Sequence, residues 1–519
     1  MNRRVKWRIV IAGAALSLLA AGAQANGQTS VAETWRATAP ATNGTMMDLD
    51  LADNVFVVGE NIQTVVLRKF SPSGVLQWER IDPPAPERAR ASWVSTDPAG
   101  NAFVAAYRIT GGNNSPAGWI VTKYDPRGNL VWRDIIPGGG GQTVRVETDG
   151  AGNAYVTGKM FVGTTIDAVT IKYAPNGTKL WTRAFNGAVA SGDVAGSMDV
   201  SSDGTRIAVV GATGSSFFTV IYDAQGNEIG RSVRIDLSPA RDAAFGPLNV
   251  LYVGTTSWTP TTSNRMTLVK FGPAGNTAWT RFYEDGDFVY RVAVDSSGDV
   301  VAVGAGNLFL DWVTIKVGPD GTRRWSRSYS ATEGTDEIPA FLTIDRANAI
   351  YVTGRAGPIP PDPGINLLMM TTIRYEPDGT QAWVVNRDIA RGLSVRVGTD
   401  QAVYVLGEGE MLTVRYDQET GGVPGPPSAP TSLTVTTASR TAIGLQWANG
   451  PGTQTAVRIE RCTGANCTTF VQVAQVGGSS TAYVDQGLVR NTTYRYRVRA
   501  ANDQGNSAYS NIVTARTTK

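Results

Sequence analysis

The chain has 519 residues, with 58 Gly, 26 Pro, 18% charged residues and a formal net charge of +3. That length is enough for two or three domains, and many glycines with few charged runs suit an all-β protein rich in turns. Histidine is absent altogether, which excludes Ser-His-Asp and Cys-His catalysis and any His-containing zinc site, while carboxylates, lysine and tyrosine remain available.

Residues 1–25 read as a secretory signal. Arg3, Arg4, Lys6 and Arg8 precede an apolar run from Ile9 to Ala21, and Ala23-Gln24-Ala25 offers a small-x-small cleavage site before Asn26. The run is too short for a membrane span, and no later apolar run is long enough to cross a bilayer. The residues around Arg3-Arg4 match twin-Arg export poorly, and no Cys near the cleavage point suggests a lipid anchor. Without the four N-terminal cations, 43 basic residues face 44 acidic ones, a net charge of −1. That balance gives no electrostatic reason to expect nucleic acid or an anionic membrane as partner. Secretion or display at the cell surface is the expected destination, with the periplasm left open.

From Glu33-Thr34-Trp35-Arg36-Ala37 onward the chain is repetitive. A strand-like marker ends at Gly59, Ala106, Gly158, Gly211, Gly254, Gly304, Gly354 and Gly407, a spacing of about 50 residues that points to propellers or solenoids. Each marker is followed by a second strand and a tight turn such as Ala174-Pro175-Asn176-Gly177, whose Pro, Asn, Asp and Gly suit the turn's φ values. A Trp usually comes next, at Trp78, Trp132, Trp181, Trp279, Trp325 and Trp383, whereas the fourth unit has Ile229-Gly230 there. With another strand upstream of each marker, every unit has four strands, a to d. Such units read as propeller blades that bury their faces against their neighbours, with the Trp packing between blades.

The eighth unit lacks its Trp strand, and Glu33 to Ala37 resembles Lys179 to Phe185. The expected fold of residues 26–421 is therefore an eight-bladed β-propeller closed by an N-terminal strand, which removes free edges; seven blades with an irregular extra unit is the alternative. Phrases such as Val292 to Gly304 and Asp311 to Trp325 resemble the SBBP family of bacterial β-propeller repeats, over about Trp35 to Gly421. A looser likeness to quinoprotein propellers lacks the vicinal Cys pair associated with some of those enzymes.

Residues 422–429 are a Pro-rich linker, expected to be an extended, semi-rigid spacer. Residues 430–519 resemble a fibronectin type III domain through Pro430, Leu433, Ile443 to Trp447, Val457 to Arg461, Tyr494 to Ala500 and Tyr509-Ser510-Asn511. The resemblance implies a β-sandwich with Trp447 in its core and Tyr494 at a tyrosine corner. Cys462 and Cys467 are the only cysteines. In an exported protein they are expected to form a disulfide; a metal site needs more ligands, and a redox pair is more often C-x-x-C.

No sequence feature indicates a cofactor, a metal site or catalytic residues. The D-x-x-G-N turns at Asp97 and Asp149, and the related turn at Asp295, carry one acid each before the Gly, too few oxygens for calcium. Arg145, Arg241 and Arg291 recur near the start of strand a and could form an anion site. Long b–c loops, at Arg108 to Trp119, Thr256 to Met266 and Arg355 to Met370, emerge on the same face as the d–a loops, and variable loops on a rigid frame often carry function. On that face Glu284, Asp285, Asp287, Glu333, Asp336, Glu337 and Asp362 form a candidate binding sector, with Leu367 to Met370 beside them. The expected function is a non-enzymatic binding or adhesion scaffold for an extracellular protein or glycan. The alternatives are a carboxylate-dependent polysaccharide-active enzyme, which needs two carboxyl groups in a cleft, and a periplasmic assembly factor.

Overall fold

A computed structural model describes residues 31–519 except 41, 83–87, 111–114, 139, 188–191, 260–261, 307–310, 332–336, 358–368, 388–390, 419–426, 428, 450–453, 479 and 503–504. Residues 1–25, read from sequence as a signal, and most of the expected linker lie outside the described residues.

The alternating Val, Ile, Thr and Tyr of the repeats form eight four-stranded antiparallel sheets. Sheets 1 to 7 occupy residues 43–82, 89–137, 142–185, 193–234, 242–283, 288–329 and 338–387, each with its strands paired in chain order. Sheet 8 takes three strands from residues 392–418, and its fourth is Val31–Ala37, which pairs antiparallel with Thr413–Gln418. Strand a of each sheet packs against strand a of the next, and strand a of sheet 8 packs against that of sheet 1. The apolar core is divided into layers between neighbours. Phe103 and Val121 of sheet 2 meet Val156 and Tyr173 of sheet 3, and Val57 and Phe70 of sheet 1 meet Tyr404 and Leu406 of sheet 8.

The marker glycines have a steric reason. Strand a skips one residue of register opposite the marker in every sheet but the fifth. This β-bulge drives a carbonyl toward the marker residue. A Cβ at Gly304 would sit 1.6 Å from the Phe288 carbonyl oxygen, and one at Gly354 would sit 2.3 Å from that of Ile338.

A second repeated contact joins one sheet to the next. The indole N–H of Trp132 donates to the Pro175 carbonyl in the c–d turn of the following sheet at 3.1 Å, and Trp78, Trp181, Trp279 and Trp325 make the equivalent bond at 3.0–3.1 Å. The ring lies against the turn's glycine, which has positive φ: a Cβ at Gly177 would come within 2.8 Å of Trp132. The buried strand-c lysines reach the same carbonyls, with Lys69, Lys123, Lys172, Lys270 and Lys316 donating at 2.7–3.3 Å. Trp35 of the N-terminal strand repeats the pattern between sheets 8 and 1, donating to Pro72 of sheet 1 at 2.8 Å.

Sheet 4 departs from the pattern. It has Ile221 where the lysine stands elsewhere and Gly230 where the Trp stands, and Gly230 meets Gly275 of sheet 5 backbone to backbone. Trp383 also differs, bonding the Gln418 side chain of sheet 8 at 3.2 Å.

The C-terminal domain has a three-stranded sheet, Thr431–Ala438, Ala442–Ala448 and Ala482–Gln486. It faces a second sheet built on Ala456–Thr463 and Thr493–Asn502. Trp447, Ile459, Leu488, Tyr496 and Val498 fill the space between. The Tyr494 hydroxyl accepts the Val489 N–H at 3.0 Å, the contact that defines a tyrosine corner. Cys462 and Cys467 form a disulfide.

Candidate functional site

The bulges fix which residues of strand a face the centre. Met46, Trp93, Arg145, Arg291, Phe341 and Ser394 follow the bulge, each thirteen residues before its marker. Trp93 of sheet 2 and Phe341 of sheet 7 meet with ring centroids 6.3 Å apart. Arg145 lies over Trp93 at 4.6 Å and Arg396 over Phe341 at 4.5 Å. These rings and guanidinium groups form an aromatic and cationic plug where the a strands of different sheets meet.

Carboxylates hold the plug in place. Arg145 pairs through Nε with Glu147 at 2.5 Å and through Nη1 with Asp242 at 3.1 Å and the Ser197 hydroxyl at 2.7 Å. Asp242 Oδ2 also accepts the Val292 N–H at 3.1 Å. Arg396 pairs with Asp48 at 3.2 Å, and Asp199 accepts the Phe245 N–H at 2.7 Å. Burial pushes the Asp199 carboxyl up to about 7 against the pull of Arg145, with Glu147 adding to the rise. Asp199 is half-buried. Burial likewise raises Glu147 against the pull of Arg145.

A cavity lies at each end of the plug. At the a–b turn end, a space of about 350 Å³ is lined by Asp48, Asp97, Glu147 and Asp149. These acids are already engaged. Asp97 accepts the Ala99 and Asn101 N–H groups at 3.0 and 2.9 Å and faces Lys123 Nζ at 3.5 Å, and Asp149 serves its own turn in the same way. Among the described residues, no group of three or more Cys, Asp or Glu side chains is placed to hold a metal ion. At the other end, a space of about 290 Å³ is lined by Gly196, Gly211, Pro239, Arg241, Tyr290 and Arg291.

The three arginines singled out in the sequence are thus divided. Arg145 is bound up in the plug, while Arg241 and Arg291 share a cavity. Sequence reading missed Trp93, Glu147, Asp199, Phe341 and Arg396. Their signal was position relative to the marker, thirteen residues before it for Trp93 and Phe341, eleven for Glu147 and Arg396 and twelve for Asp199, visible only when the repeats are aligned position by position.

The acidic sector is only partly described. Glu284 stands 3.9 Å from Arg265 with its side chain 85% exposed, and Asp285 pairs with Arg323. The Asp287 N–H donates to the Ala305 carbonyl at 2.8 Å. Glu337 is fully buried and accepts the Ala331 N–H at 2.5 Å, so it braces its loop from within. Glu333, Asp336, Asp362, Leu367 and Leu368 lie outside the described residues. Met370 is buried in the core.

Comparisons with known proteins define the architecture. A family model described as the fibronectin type III domain matches residues 428–516, two residues ahead of the boundary expected from sequence. A solved structure described as the Dos1 propeller aligns at a TM-score of 0.50 and 7% identity, over 75% of this chain and 95% of its own. At that identity the likeness shows fold alone. The chain is therefore an all-β protein with a propeller-like body and a fibronectin type III domain. The fibronectin type III domain of human fibronectin type III domain containing protein 3 is 27% identical with a TM-score of 0.17, covering 19% of this chain and 91% of its own. The FN5 domain of Drosophila Lar is 20% identical with a TM-score of 0.16, covering 19% and 99%. No curated protein matches the chain. Among the described residues no helix is long and apolar enough to cross a membrane.

Proposed function

We propose that the eight sheets are the blades of one ring closed by Val31–Ala37, and that the chain is an exported, non-enzymatic binding scaffold. It presents the face carrying the d–a and b–c loops to an extracellular protein or glycan. The observation that carries this reading is the contrast between the ring's two faces. Each c–d turn repeats one hydrogen bond, as in Gly128 to Asp125, Gly177 to Ala174 and Gly321 to Gly318, and most of these turns are held by a Trp and a Lys of the preceding sheet. Among the described residues the opposite face shows no such repeated bond; its connections are of unequal length in the sequence, beside a cavity lined by two arginines. A frame with uniform turns on one face and variable connections on the other is suited to recognition. The disulfide and the fibronectin type III domain support an extracellular setting.

Glu284, Asp285 and Asp287, with Glu333, Asp336 and Asp362, mark the proposed sector of contact, which buried Glu337 supports from beneath. A screen of residues 26–519 against glycans and extracellular proteins should find a ligand whose binding weakens at least about tenfold, ~1.4 kcal/mol, in a Glu284→Gln, Asp285→Asn, Asp287→Asn variant. Equal binding by that variant removes the sector from the proposal. One observation favours the enzymatic alternative: the Asp199 carboxyl, raised toward neutrality, stands beside Glu147 in the channel. Hydrolysis of a polysaccharide that disappears in Asp199→Asn would establish that reading instead.

A further inference from the structure

Arg291 is an arginine without an adequate counterion. Its Nη1 donates to the Tyr290 carbonyl at 3.2 Å and its guanidinium lies 5.7 Å from the Phe341 ring. Its buried Nε has no hydrogen-bond partner among the described residues. The carboxylate that acts on it electrostatically, Asp242, is already occupied: Oδ1 takes Arg145 and Ser197, and Oδ2 takes the Val292 N–H. Burial pushes Arg291 below the ordinary arginine value, and Arg145 and Arg396 push the same way, with Asp242 opposing. An arginine stays charged in a protein, so this is a cation held where its charge is poorly compensated. Burying a charge without a partner is costly, and a bound anion would relieve that cost.

The surroundings provide room for one. Arg291 shares its cavity of about 290 Å³ with exposed Arg241, and the lining also includes Gly196, Gly211 and Pro239. The rim acids do not compete, because Asp285 is paired with Arg323 and Glu284 stands beside Arg265.

We propose that the mouth of the central channel is an oxyanion site in which Arg241 and Arg291 hold a carboxylate carried on a group about the size of one sugar ring, as in a uronic acid. Planar guanidinium forks suit a carboxylate, which accepts two parallel N–H bonds. The proposal deepens the binding-scaffold reading by naming the chemistry recognised at the centre of the loop face, and it does not depend on the acidic sector.

The test uses the mature full-length chain and defined small probes: glucuronate, glucose, and inorganic sulfate. Titration calorimetry should show glucuronate binding that weakens with added salt, no binding of glucose, and sulfate competing with glucuronate for the same site. Arg241→Gln and Arg291→Gln should each weaken glucuronate binding at least tenfold. Because Arg291→Gln alters a buried position and can disturb folding, Arg241→Gln, at an exposed residue, keeps the test decisive. Absence of glucuronate binding, binding unchanged in Arg241→Gln, or equal binding of glucose would each overturn the proposal. Success here with an empty glycan and protein screen would leave the anion site standing and the scaffold reading without support; failure here with a positive screen would do the reverse.

Discussion

A single indole N–H joins most neighbouring sheets, and its contribution can be separated from that of the ring. Trp181 is buried, donates to the Ala224 carbonyl at 3.1 Å and packs between Tyr155 and Tyr222. Trp181→Phe keeps most of the apolar area but removes one of the two donors to that carbonyl, leaving Lys172 alone, and should cost about 1 kcal/mol. Trp181→Ala should cost about 3–5 kcal/mol. Equal melting temperatures for the two variants would show that the ring contributes nothing beyond its N–H. At the channel, Asp199 gives a pH signature. Its carboxyl is raised to about 7 in the fold, whereas an unfolded Asp titrates near ~3.9. Between those values the folded chain keeps a proton that the unfolded chain loses, so this residue's contribution falls as pH rises toward 7. Asp199→Asn should therefore stabilise the protein, more at pH 8 than at pH 5, by at most about 4 kcal/mol at the upper pH. A gain that is the same at both pH values would show that Asp199 titrates normally.

At the scale of strands and sheets, the junction between sheets 4 and 5 is the weak one. It has neither the Trp nor the Lys that ties most other sheets together; Gly230 approaches Gly275, the Arg234 guanidinium donates to the Thr280 hydroxyl at 3.2 Å, and an apolar layer including Ile221 and Leu251 lies between the two sheets. Local opening begins where buried contacts are fewest. Hydrogen exchange should be faster in strand d of sheet 4, Glu228–Arg234, than in its counterpart of sheet 3, Lys179–Phe185. Equal protection would mean that Ile229 and the glycine pair make up for the missing side chains. Strands and turns were legible in the sequence because their chemistry is local. A Pro-Asn-Gly turn sets its own dihedrals, and a Trp at constant spacing announces a constant contact. The centre was not legible, because a bulge of one residue turns the following side chains to the other face of the strand. Arg145 and Trp93 therefore point inward for a reason that alternation alone does not reveal. In the acidic sector, pairings between strands were not legible either: Asp285 finds Arg323 in another strand, and the Glu337 carboxylate accepts the Ala331 N–H.

At the scale of the whole molecule, the two domains have separate cores. The fibronectin type III domain fills its own interior with Trp447, Tyr496 and Val498, and the Pro-rich segment 422–429 separates it from the repeats. Limited proteolysis in that segment should release a piece of residues 430–519 that still shows a cooperative melt; a released piece that is unfolded would mean that the domain depends on the repeats. The central structural claim is that strand Val31–Ala37 closes the ring on its last sheet. The loop face and the channel mouth owe their shape to that closure. Ala32 is the register partner of Asp417, so the direct measurement is oxidative cross-linking of an Ala32→Cys, Asp417→Cys variant, read by peptide mass mapping. Closure predicts a peptide joining residue 32 to residue 417, with the native Cys462–Cys467 bond intact. Free thiols at both positions after oxidation of the folded protein would contradict it.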